Sequence, residues 1–491
     1  MSFGVASGHP LTSASAEEIL RAGGTALDAI TAAAFTAFVV EPVLCGALGA
    51  GVLLVAPPGR AAVYRDAVVR TPKAKAAERD LDLATVTFDF GPETQDFHIG
   101  AGTIAAPCVV PMLLTAQAEG GRMPLSEVLA PAIAAAAGHT VTPFQARVMR
   151  LVGPILSADP AARALYFLGD ATMEPGATLT NPAFGDVLDT LAHEGPRFFA
   201  EGEIAAALLA FPGSHLTRAD LAVGPRQRAP LGVTRRGVDV ALNPPPSRGG
   251  VSVALALAAL PQRPGPGRLA QALDAIDRVR REAPDGAALA HALPDHSAAL
   301  KTLLAETPKA VRGTTHISVI DAAGMAAGLT LSNGEGCGRI LPGTGLMPNN
   351  MLGEEDLVPG GPLAWTPDRR MASMMCPMLL RAGDATTVLG TGGSSRIRTA
   401  LAQVALALID AGTPLEAAIR APRLHVEAGR LSFEDTGDAR WREGLRDWSG
   451  ETRVFAEPSL FFGGVHAVRA EAGTVTDAFA DPRRAGHALV G

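Results

Sequence analysis

The stretch VRGTTHISVI, residues 311–320, decides how the fold of this 491-residue chain is interpreted. A β-strand pattern begins with GTTH at Gly313, directly after a loose polar segment, LAETPKAVRG at 304–313, which we expect to be an exposed linker. In one interpretation this is an ordinary strand with threonines on its solvent face. In the other, the chain is cut before Thr314, and the hydroxyl at the new N-terminus does chemistry.

The second interpretation has a chemical rationale. A threonine hydroxyl is a weak nucleophile until a base takes its proton, and an α-amine freed by cleavage would lie only a few bonds away. Such an amine has a pKa of about 7.7–8.0, so part of it is neutral near physiological pH. Gly313 suits cleavage because it tolerates backbone conformations that other residues avoid, and β-branching restricts χ1 of Thr314. The bond Gly313–Thr314 is thus a candidate cleavage site, with an ordinary strand as the alternative.

Acyl transfer also requires donors for a developing oxyanion. Gly392 and Gly393 follow the strand pattern TTVLG at 386–390 and precede a helix that begins near Ser395. Two unhindered N–H groups close to a helix N-terminus suit that role. Taken alone, these glycines also fit a simple strand-to-helix turn; together with Thr314 they begin to describe an acyl-transfer site.

Composition argues against several other classes of protein. The net charge is −7, and no basic stripe with interleaved aromatic residues occurs, so we expect no nucleic-acid partner. The four cysteines are far apart and form no C-x-x-C pair, which argues against a disulfide framework or a zinc site. No G-x-S-x-G elbow is present, and neither GALGAG nor GTGGSS matches a dinucleotide or P-loop fingerprint. We therefore expect no metal and no organic cofactor.

The N-terminal region shows no pattern of a membrane or secreted protein. The first twenty residues lack a basic region followed by an apolar one, so no secretion signal is indicated. The most apolar stretch, residues 29–58, is interrupted by Glu41-Pro42 and then becomes rich in glycine. This favours a buried helix, a turn and a buried strand over a membrane span. We expect a soluble, cytoplasmic protein.

Periodicity and turn residues predict mainly helices in the first two thirds of the chain and hairpins after residue 313. Strands at both ends, with helices between and after them, indicate stacked sheets covered by helices rather than separate domains joined by a long linker. The predicted elements are a helix over about 16–40 with a weak point at Gly23-Gly24, strands at 51–56 and about 61–64, helices within 100–150, a proline-stiffened loop running into a buried helix at 243–262, a hairpin turning at 322–324 and a C-terminal hairpin within 463–481.

Seven motifs occur in the order expected of one known family. They are GHPLTSASAEEILRAGGTALDAITAAAFTAFVVEP (8–42), PPPSRGG (244–250), GTTHISVIDAAG (313–324), PGTGLMPNNMLGEED (342–356), MASMMCPMLL (371–380), GTGGSSRIRTALAQVALALIDAGTPLEAAIRAPRLH (390–425) and ADPRRAGHA (480–488). With these motifs the chain resembles the γ-glutamyltranspeptidases, which belong to the N-terminal nucleophile hydrolase superfamily.

The resemblance implies an α/β (α+β) fold of the αββα type, in which two stacked, mainly antiparallel sheets are covered by helices. It also implies that the precursor cleaves itself between Gly313 and Thr314. The segments 1–313 and 314–491 would then be the large and small chains of one interwoven domain.

The resemblance assigns catalytic roles to four residues. Thr314 matches the nucleophile, and Gly392 and Gly393 match the donors of the oxyanion hole. Ser332 keeps a hydroxyl where the family has a threonine that hydrogen-bonds the amine of the nucleophile.

Substrate-binding positions are matched less completely. Glu354 stands where the family has an aspartate that holds the substrate's α-amino group. Ser373 matches the first of two serines that bind the α-carboxylate. The family's asparagine falls at Gly334, with Asn333 one place early.

Two departures concern the α-carboxylate of a glutamyl substrate. The second serine is Met374, and the position of the family's arginine is Val68, within YRDAVVRTP. Arg65 and Arg70 lie nearby, and Arg65 is the candidate replacement, although neighbouring positions of a strand face opposite ways. Losing a bidentate guanidinium partner weakens carboxylate binding by about 1.5–3 kcal/mol.

The sequence therefore predicts a self-processing amide hydrolase or acyltransferase. The first hypothesis is γ-glutamyl transfer or hydrolysis with glutathione-like substrates. The alternatives are an amidase of the same family with another acyl group, and an unprocessed homologue that acts as a binding protein. The expected partners are a small-molecule amide and the two chains of the protein itself, with a homo-oligomer as a further option.

Overall fold

The strand that begins at Gly313 is buried along its whole length, Gly313–Ile320, in the computed structural model of the chain. Thr314 and Thr315 are each only 3% exposed. Helices cover one face of the strand and a second sheet covers the other. The interpretation in which these threonines lie on a solvent face is therefore wrong.

The structure describes residues 2–89, 94–282, 313–355, 357–358, 360–435 and 437–491. Apart from Gly313, the predicted linker 304–313 lies outside these residues. Within the described ranges, no helix combines the length and the apolar character that a membrane span needs.

The first sheet is antiparallel and contains the strand that carries Thr314. Its two central strands flank the predicted turn at 322–324 and pair directly, as the hairpin prediction requires. The strand predicted at about 61–64 lies slightly later in the chain. From edge to edge the seven strands are Arg226–Arg228, Val63–Ala67, Ala50–Ala56, Ala326–Gly334, Gly313–Ile320, Gly4–Ser7 and His487–Val490.

The second sheet is also antiparallel and packs face to face against the first. Its last two strands form the predicted C-terminal hairpin. Both sheets contain strands from before and from after the Gly313–Thr314 bond. From edge to edge the six strands are Leu231–Arg235, Val238–Leu242, Met378–Ala382, Ala385–Gly392, Gly464–Glu471 and Thr474–Ala480.

Helices cover the outer faces of the two sheets, so the layers run helix, sheet, sheet, helix. Pro10–Arg21 and Ala26–Val40 lie on the side of the first sheet. Arg248–Ala259, Arg396–Ala411 and Leu415–Arg420 lie on the side of the second. This four-layer arrangement confirms the predicted fold class.

The single helix predicted over 16–40 is two helices, Pro10–Arg21 and Ala26–Val40. Gly23 has a φ of 92°, a left-handed conformation that ends the first helix. Thr25 then caps the second helix through a reciprocal capping box. The weak point foreseen in the sequence is therefore a complete break.

The other elements surround this four-layer core. Three of the further helices lie within the region predicted to be helical, 100–150. The further helices are Val109–Gly120, Leu125–Ala137, Pro143–Leu151, Gly153–Leu156, Pro160–Tyr166, Pro182–Glu194, Arg197–Ala200, Glu203–Ala210, Arg218–Leu221, Pro266–Glu282 and Ala439–Leu445. The small sheets are Leu424–Glu427 with Arg430–Glu434 and Thr452–Phe455, Ala84–Asp89 with Thr94–Ile99, His139–Thr140 with Thr178–Leu179, and Phe167–Leu168 with Ala171–Thr172.

The two large sheets are in close contact at His316. Its ring nitrogens lie 2.8 Å from Thr330 Oγ1 and 2.9 Å from Ser318 Oγ. Gly390 of the second sheet leaves the space for this ring, because a Cβ there would lie 2.3 Å from ring atoms Cε1 and Nδ1. Burial, with a smaller effect of His466, holds the pKa of His316 well below its ordinary value of 6.5. The ring is therefore a neutral part of the interface between the sheets.

Gly390→Ala should destabilise the fold by about 1–3 kcal/mol, because the buried, hydrogen-bonded ring of His316 cannot move away from the added methyl group without cost. Gly232→Ala is the matched control: Gly232 is in the same sheet, and an added Cβ meets no atom within 4 Å. Urea unfolding of the two variants and the parent protein measures the difference. Equal losses in both variants would contradict the proposed packing constraint.

Candidate active site

Thr314 lies at an irregularity in the pairing of the central strand. Gly313 pairs with Gly334 and Thr315 with Leu331, so Thr314 alone faces two residues of the neighbouring strand. Its hydroxyl donates to the carbonyl oxygen of Gly313 at 2.8 Å. The nucleophile predicted from sequence is thus adjacent to the carbonyl group of the predicted cleavage site.

The same carbonyl oxygen has a second hydroxyl donor. Ser332 Oγ donates to the oxygen of Gly313 at 2.8 Å and itself accepts the backbone N–H of Gly334 at 3.2 Å. Two hydroxyl groups that converge on one carbonyl polarise it toward the charge distribution of a tetrahedral intermediate. Ser332 is therefore placed to assist attack on the Gly313 carbonyl.

The predicted glycine turn lies against the backbone of Thr314. A Cβ on Gly392 would be 2.0 Å from the carbonyl oxygen of Thr314, so no larger residue fits there. Gly393 has a φ of 123°, a conformation that favours glycine. The turn leads from the strand Ala385–Gly392 toward the helix that starts at Arg396. The structure brings Gly392 against the backbone of Thr314 and Gly393 next to Gly463 and Arg484, and the role of both glycines as oxyanion donors stays a prediction.

A cleft opens in front of Thr314. It contains four of the residues predicted from sequence, together with both positions at which the sequence departs from the family's carboxylate ligands. The described residues that line it are Val68, Arg248, Thr314, Ser332, Met351, Glu354, Leu357, Ala372, Ser373, Met374, Met375, Ser394 and Ile397.

Two predicted substrate-binding residues are not among those that line the cleft. Arg65 forms an ion pair with Glu119, because its position in the strand turns it toward the helix Val109–Gly120 on the outer face of the sheet. The alternative, Arg70, pairs with Asp368.

Asn333 is 1% exposed and has a structural environment. Its Nδ2 donates to the carbonyl oxygen of Met347 at 3.1 Å, and its side chain packs against Gly46 and Gly49. The structure thus places Thr314, Ser332, Glu354 and Ser373 in one cleft but leaves Arg65 and Asn333 outside it.

Two buried charged residues that sequence reasoning missed lie beside the nucleophile. Glu41 Oε2 accepts the hydroxyl of Thr315 at 2.7 Å, and Glu41 Oε1 accepts that of Thr12 at 3.0 Å. Arg484 donates from Nη1 to the carbonyl oxygen of Thr314 at 3.2 Å. The sequence could have drawn attention to Glu41, because it is the single charged residue of the apolar stretch 29–58.

Burial changes the acidity of both groups. Burial raises the pKa of Glu41 to about 7, although its hydrogen bonds with Thr315 and Thr12 and the charge of Arg484 act in the opposite direction. Burial, and then the charge of Arg396, lowers the pKa of Arg484 to about 10. Thr314 therefore lies beside a buried polar layer in which the pKa of Glu41 is about 7.

Arg248 was not singled out from the sequence, although the motif PPPSRGG that contains it was. Its backbone N–H donates to the carbonyl oxygen of Ser373 at 3.0 Å, and that of Gly249 reaches the same oxygen at 3.2 Å. A Cβ on Gly249 would lie 2.1 Å from the carbonyl oxygen of Met374. The glycine thus permits the proline-rich loop to press against the wall of the cleft.

Comparison with known proteins agrees with this geometry. The family model described as Gamma-glutamyltranspeptidase matches residues 12–279 and 270–491. The chain therefore belongs to the γ-glutamyltranspeptidase family of N-terminal nucleophile hydrolases. The predicted resemblance is thereby confirmed.

Individual relatives bear two kinds of name. The Acylase ACY 1 proenzyme of Pseudomonas sp. (strain SE83) is 30% identical over 472 residues, which cover 88% of this chain and 84% of that protein. The Glutathione hydrolase proenzyme of Pseudomonas aeruginosa is 29% identical over 457 residues, covering 84% and 80%. The crystal structure of cephalosporin acylase from Bacillus halodurans superposes with a TM-score of 0.84 at 22% identity, covering 99% of this chain and 95% of that one. The last similarity confirms the fold.

Glu41→Gln should alter how stability depends on pH. The folded-state pKa of about 7 exceeds the ordinary value of 4.5, so the folded chain retains a proton that the unfolded chain releases. The stabilisation from this group is complete below pH 4.5 and is lost as the pH rises through 7. Between pH 5 and pH 8, the free energy of unfolding of the parent protein should fall by about 2–3 kcal/mol relative to that of the glutamine variant.

Urea unfolding at both pH values measures this difference. Both proteins carry Thr314→Ala, so that both are compared as a single uncleaved chain. The neighbouring titratable groups His9, Cys45 and Arg484 are common to both proteins, and their contributions cancel. Parallel stability curves would show that Glu41 does not titrate in this range.

Proposed function

We propose that this protein is a self-processing acylase, an amide hydrolase that uses Thr314 as its nucleophile. The observation that carries the proposal is the convergence of Thr314 Oγ1 and Ser332 Oγ, each 2.8 Å from the carbonyl oxygen of Gly313, at the edge of the cleft. Membership of the γ-glutamyltranspeptidase family and the proenzyme names of the relatives support it.

Self-processing begins with attack of Thr314 Oγ1 on the carbonyl carbon of Gly313. Ser332 stabilises the charge that develops on the carbonyl oxygen. The C–N bond breaks, the proton of the hydroxyl passes to the departing nitrogen, and an ester joins Gly313 to Thr314 Oγ1. Water then hydrolyses the ester, which leaves a carboxylate on Gly313 and a free hydroxyl and α-amine on Thr314.

The freed α-amine supplies the base for turnover. It takes the proton of Thr314 Oγ1 as that oxygen attacks the carbonyl carbon of a bound amide, and it returns the proton to the leaving amine. The N–H groups of Gly392 and Gly393 are assigned to the oxyanion. Water attacks the resulting acyl-enzyme ester and releases the acid, which regenerates the hydroxyl of Thr314.

An acyl group other than γ-glutamyl fits the walls of the cleft better. Val68 and Met374 occupy the two positions at which the family has ligands for the α-carboxylate, and both line the cleft. Met351, Met375 and other apolar side chains extend this surface. Such a wall favours the methylene groups of an acyl chain by about 0.8 kcal/mol for each group buried.

Hydrolysis or transfer of a γ-glutamyl group is the second candidate. Its support is Glu354, a carboxylate in the same cleft that suits an α-amino group, together with the hydroxyl of Ser373. The Glutathione hydrolase names among the relatives point in the same direction. Kinetic preference between the two acyl classes decides between the candidates.

The purified wild-type chain should consist of two fragments, 1–313 and 314–491, without any added protease. Thr314→Ala should remain one chain and be inactive, because it lacks the attacking oxygen, whereas Thr314→Ser should cleave more slowly. Gel electrophoresis and mass spectrometry of the new N-terminus measure this. Cleavage of Thr314→Ala at the same bond would refute self-processing by this hydroxyl, and an uncleaved wild type would favour a binding protein.

The wild-type enzyme should hydrolyse acyl anilides with a short apolar chain more efficiently than the γ-glutamyl anilide. Val68→Arg should lower KM for the γ-glutamyl anilide about tenfold or more and change kcat less, because the new ion pair forms in both ground and transition states. Val68→Met, which adds length without charge, is the control. A micromolar KM for glutathione in the wild type would favour the second candidate instead.

A further inference from the structure

A second cavity lies on the helix-facing side of the six-stranded sheet, near the turn between the strands Met378–Ala382 and Ala385–Gly392. It has a volume of about 480 Å³, and none of its described lining residues lines the cleft at Thr314. Along the strand, Thr387 of the cavity is about 17 Å from Gly392 of the active site. Cavities of about 300–1,000 Å³ are typical of small-molecule sites. The sheet therefore offers a ligand a place that is separate from the proposed acyl site.

The floor of this cavity consists of two neighbouring rows of side chains that cross the sheet. Ala382 pairs with Ala385, and Leu380 pairs with Thr387. Residues two apart in a strand point to the same face, so these four side chains all face the cavity. Thr387 also pairs with Arg469 on the next strand. The floor is mostly small and apolar, which leaves room above it for an apolar group.

The opposite wall is formed where the helix Arg396–Ala411 ends. Leu408 and Ile409 in its last turn line the cavity. Gly412 has a φ of 62°, a left-handed conformation that ends the helix and turns the chain toward the next one. The C-terminal end of a helix carries a partial negative charge, which favours a cation nearby.

A β-bulge brings a carboxylate to the same cavity. Arg469 pairs with Asp477, but the next residue, Ala470, pairs with Val475. Thr476 is therefore an extra residue in the edge strand, and both Thr476 and Asp477 line the cavity. Bulges of this kind redirect side chains and are frequent beside functional sites.

The charges around Asp477 favour a positively charged ligand. Partial burial raises the pKa of its carboxyl group above the ordinary value of 3.8, and the charge of Glu416 acts in the same direction, while that of Arg469 opposes it. Arg469 Nη2 lies 3.8 Å from Glu471 Oε2, and Arg420 pairs with Glu416 at 2.7 Å. Among these described groups, each arginine thus has a carboxylate of its own, and the negative charge of Asp477 remains for a ligand.

We propose that this cavity binds an organic cation, namely an amine that carries one apolar group of about the size of a phenyl ring. The ammonium group binds the carboxylate of Asp477 and lies close to the hydroxyl groups of Thr476 and Thr387. The apolar group lies on Leu380 and Ala385, below the end of the helix. This inference goes beyond the proposed acylase function and does not depend on it, because the two sites share no described lining residue.

Titration of the wild-type protein at pH 7, followed by ligand-observed NMR, tests the charge of the ligand. The probes are 2-phenylethylamine, 2-phenylethanol and 3-phenylpropanoate, which share the aromatic group and differ in charge. The amine should bind about tenfold or more tightly than the other two, because it alone forms a charge-assisted hydrogen bond with a carboxylate. Equal or tighter binding of the alcohol or the acid would overturn the proposal. None of the probes contains an amide, so the result is independent of catalytic turnover.

Variants locate the binding. Asp477→Asn should weaken binding of the amine about tenfold or more and leave binding of the alcohol nearly unchanged, because only the ion pair is lost. Ala385→Leu, which fills part of the floor, should weaken both. Glu354→Gln is the matched control, since it removes a carboxylate from the cleft at Thr314 and should leave binding of the amine unchanged.

Two results with these variants would overturn the site. One is unchanged binding of the amine in both Asp477→Asn and Ala385→Leu. The other is a loss of binding in Glu354→Gln but not in Asp477→Asn, which would place the amine in the cleft at Thr314 instead. Circular dichroism establishes that each variant is folded before the titrations are compared.

Discussion

Burial of the strand Gly313–Ile320 on both faces is the constraint on which the rest of the structure depends. His316 extends from this strand toward the second sheet, where the missing side chain of Gly390 accommodates the ring. Neither sheet can slide without breaking this contact, because closely packed interiors do not deform continuously. Thr314, the proposed nucleophile at the start of the strand, is thus positioned by the core of the protein.

Distant parts of the chain meet beneath that nucleophile. Glu41 comes from the end of an N-terminal helix, and Arg484 comes from the last eight residues. Both are buried, and charged groups in such an environment are tolerated only when other polar groups compensate them. Thr12, Thr315 and the carbonyl oxygen of Thr314 provide those contacts. Cleavage at Gly313 would therefore leave the new terminus attached to a polar network that is already assembled.

Reaction chemistry and substrate choice reside in different parts of the fold. Thr314, Ser332 and Gly392 belong to strands of the two central sheets. Arg248 and Met374 belong to segments outside those sheets, where substitutions do not disturb strand pairing. Family membership therefore supports Thr314 as the proposed nucleophile but leaves the acyl group open, as expected when one fold serves several substrates.

Patterns local to the sequence predicted stacked sheets covered by helices, Thr314 as a candidate nucleophile and the glycine turn. Alternating residues and the turn at 322–324 predict a hairpin because strand periodicity is a property of the backbone. Gly392 is recognisable from the sequence as a turn residue, because few residues other than glycine fit where two chain segments approach closely. The ordered motifs then supplied Ser332, Glu354 and Ser373, which the structure brings to the same cleft.

Only the tertiary structure decided which charged side chains reach that cleft. From sequence, Arg65 was the candidate because it is close to the position of the family's arginine, and Arg248 was not singled out. Packing against the helix that carries Glu119 turns Arg65 away, while a loop almost two hundred residues later presents Arg248. Side-chain direction depends on what covers each face of a strand, and burial depends on contacts between residues far apart in the chain. Neither quantity is encoded in a local pattern, which is also why the role of Glu41 became visible only in the folded protein.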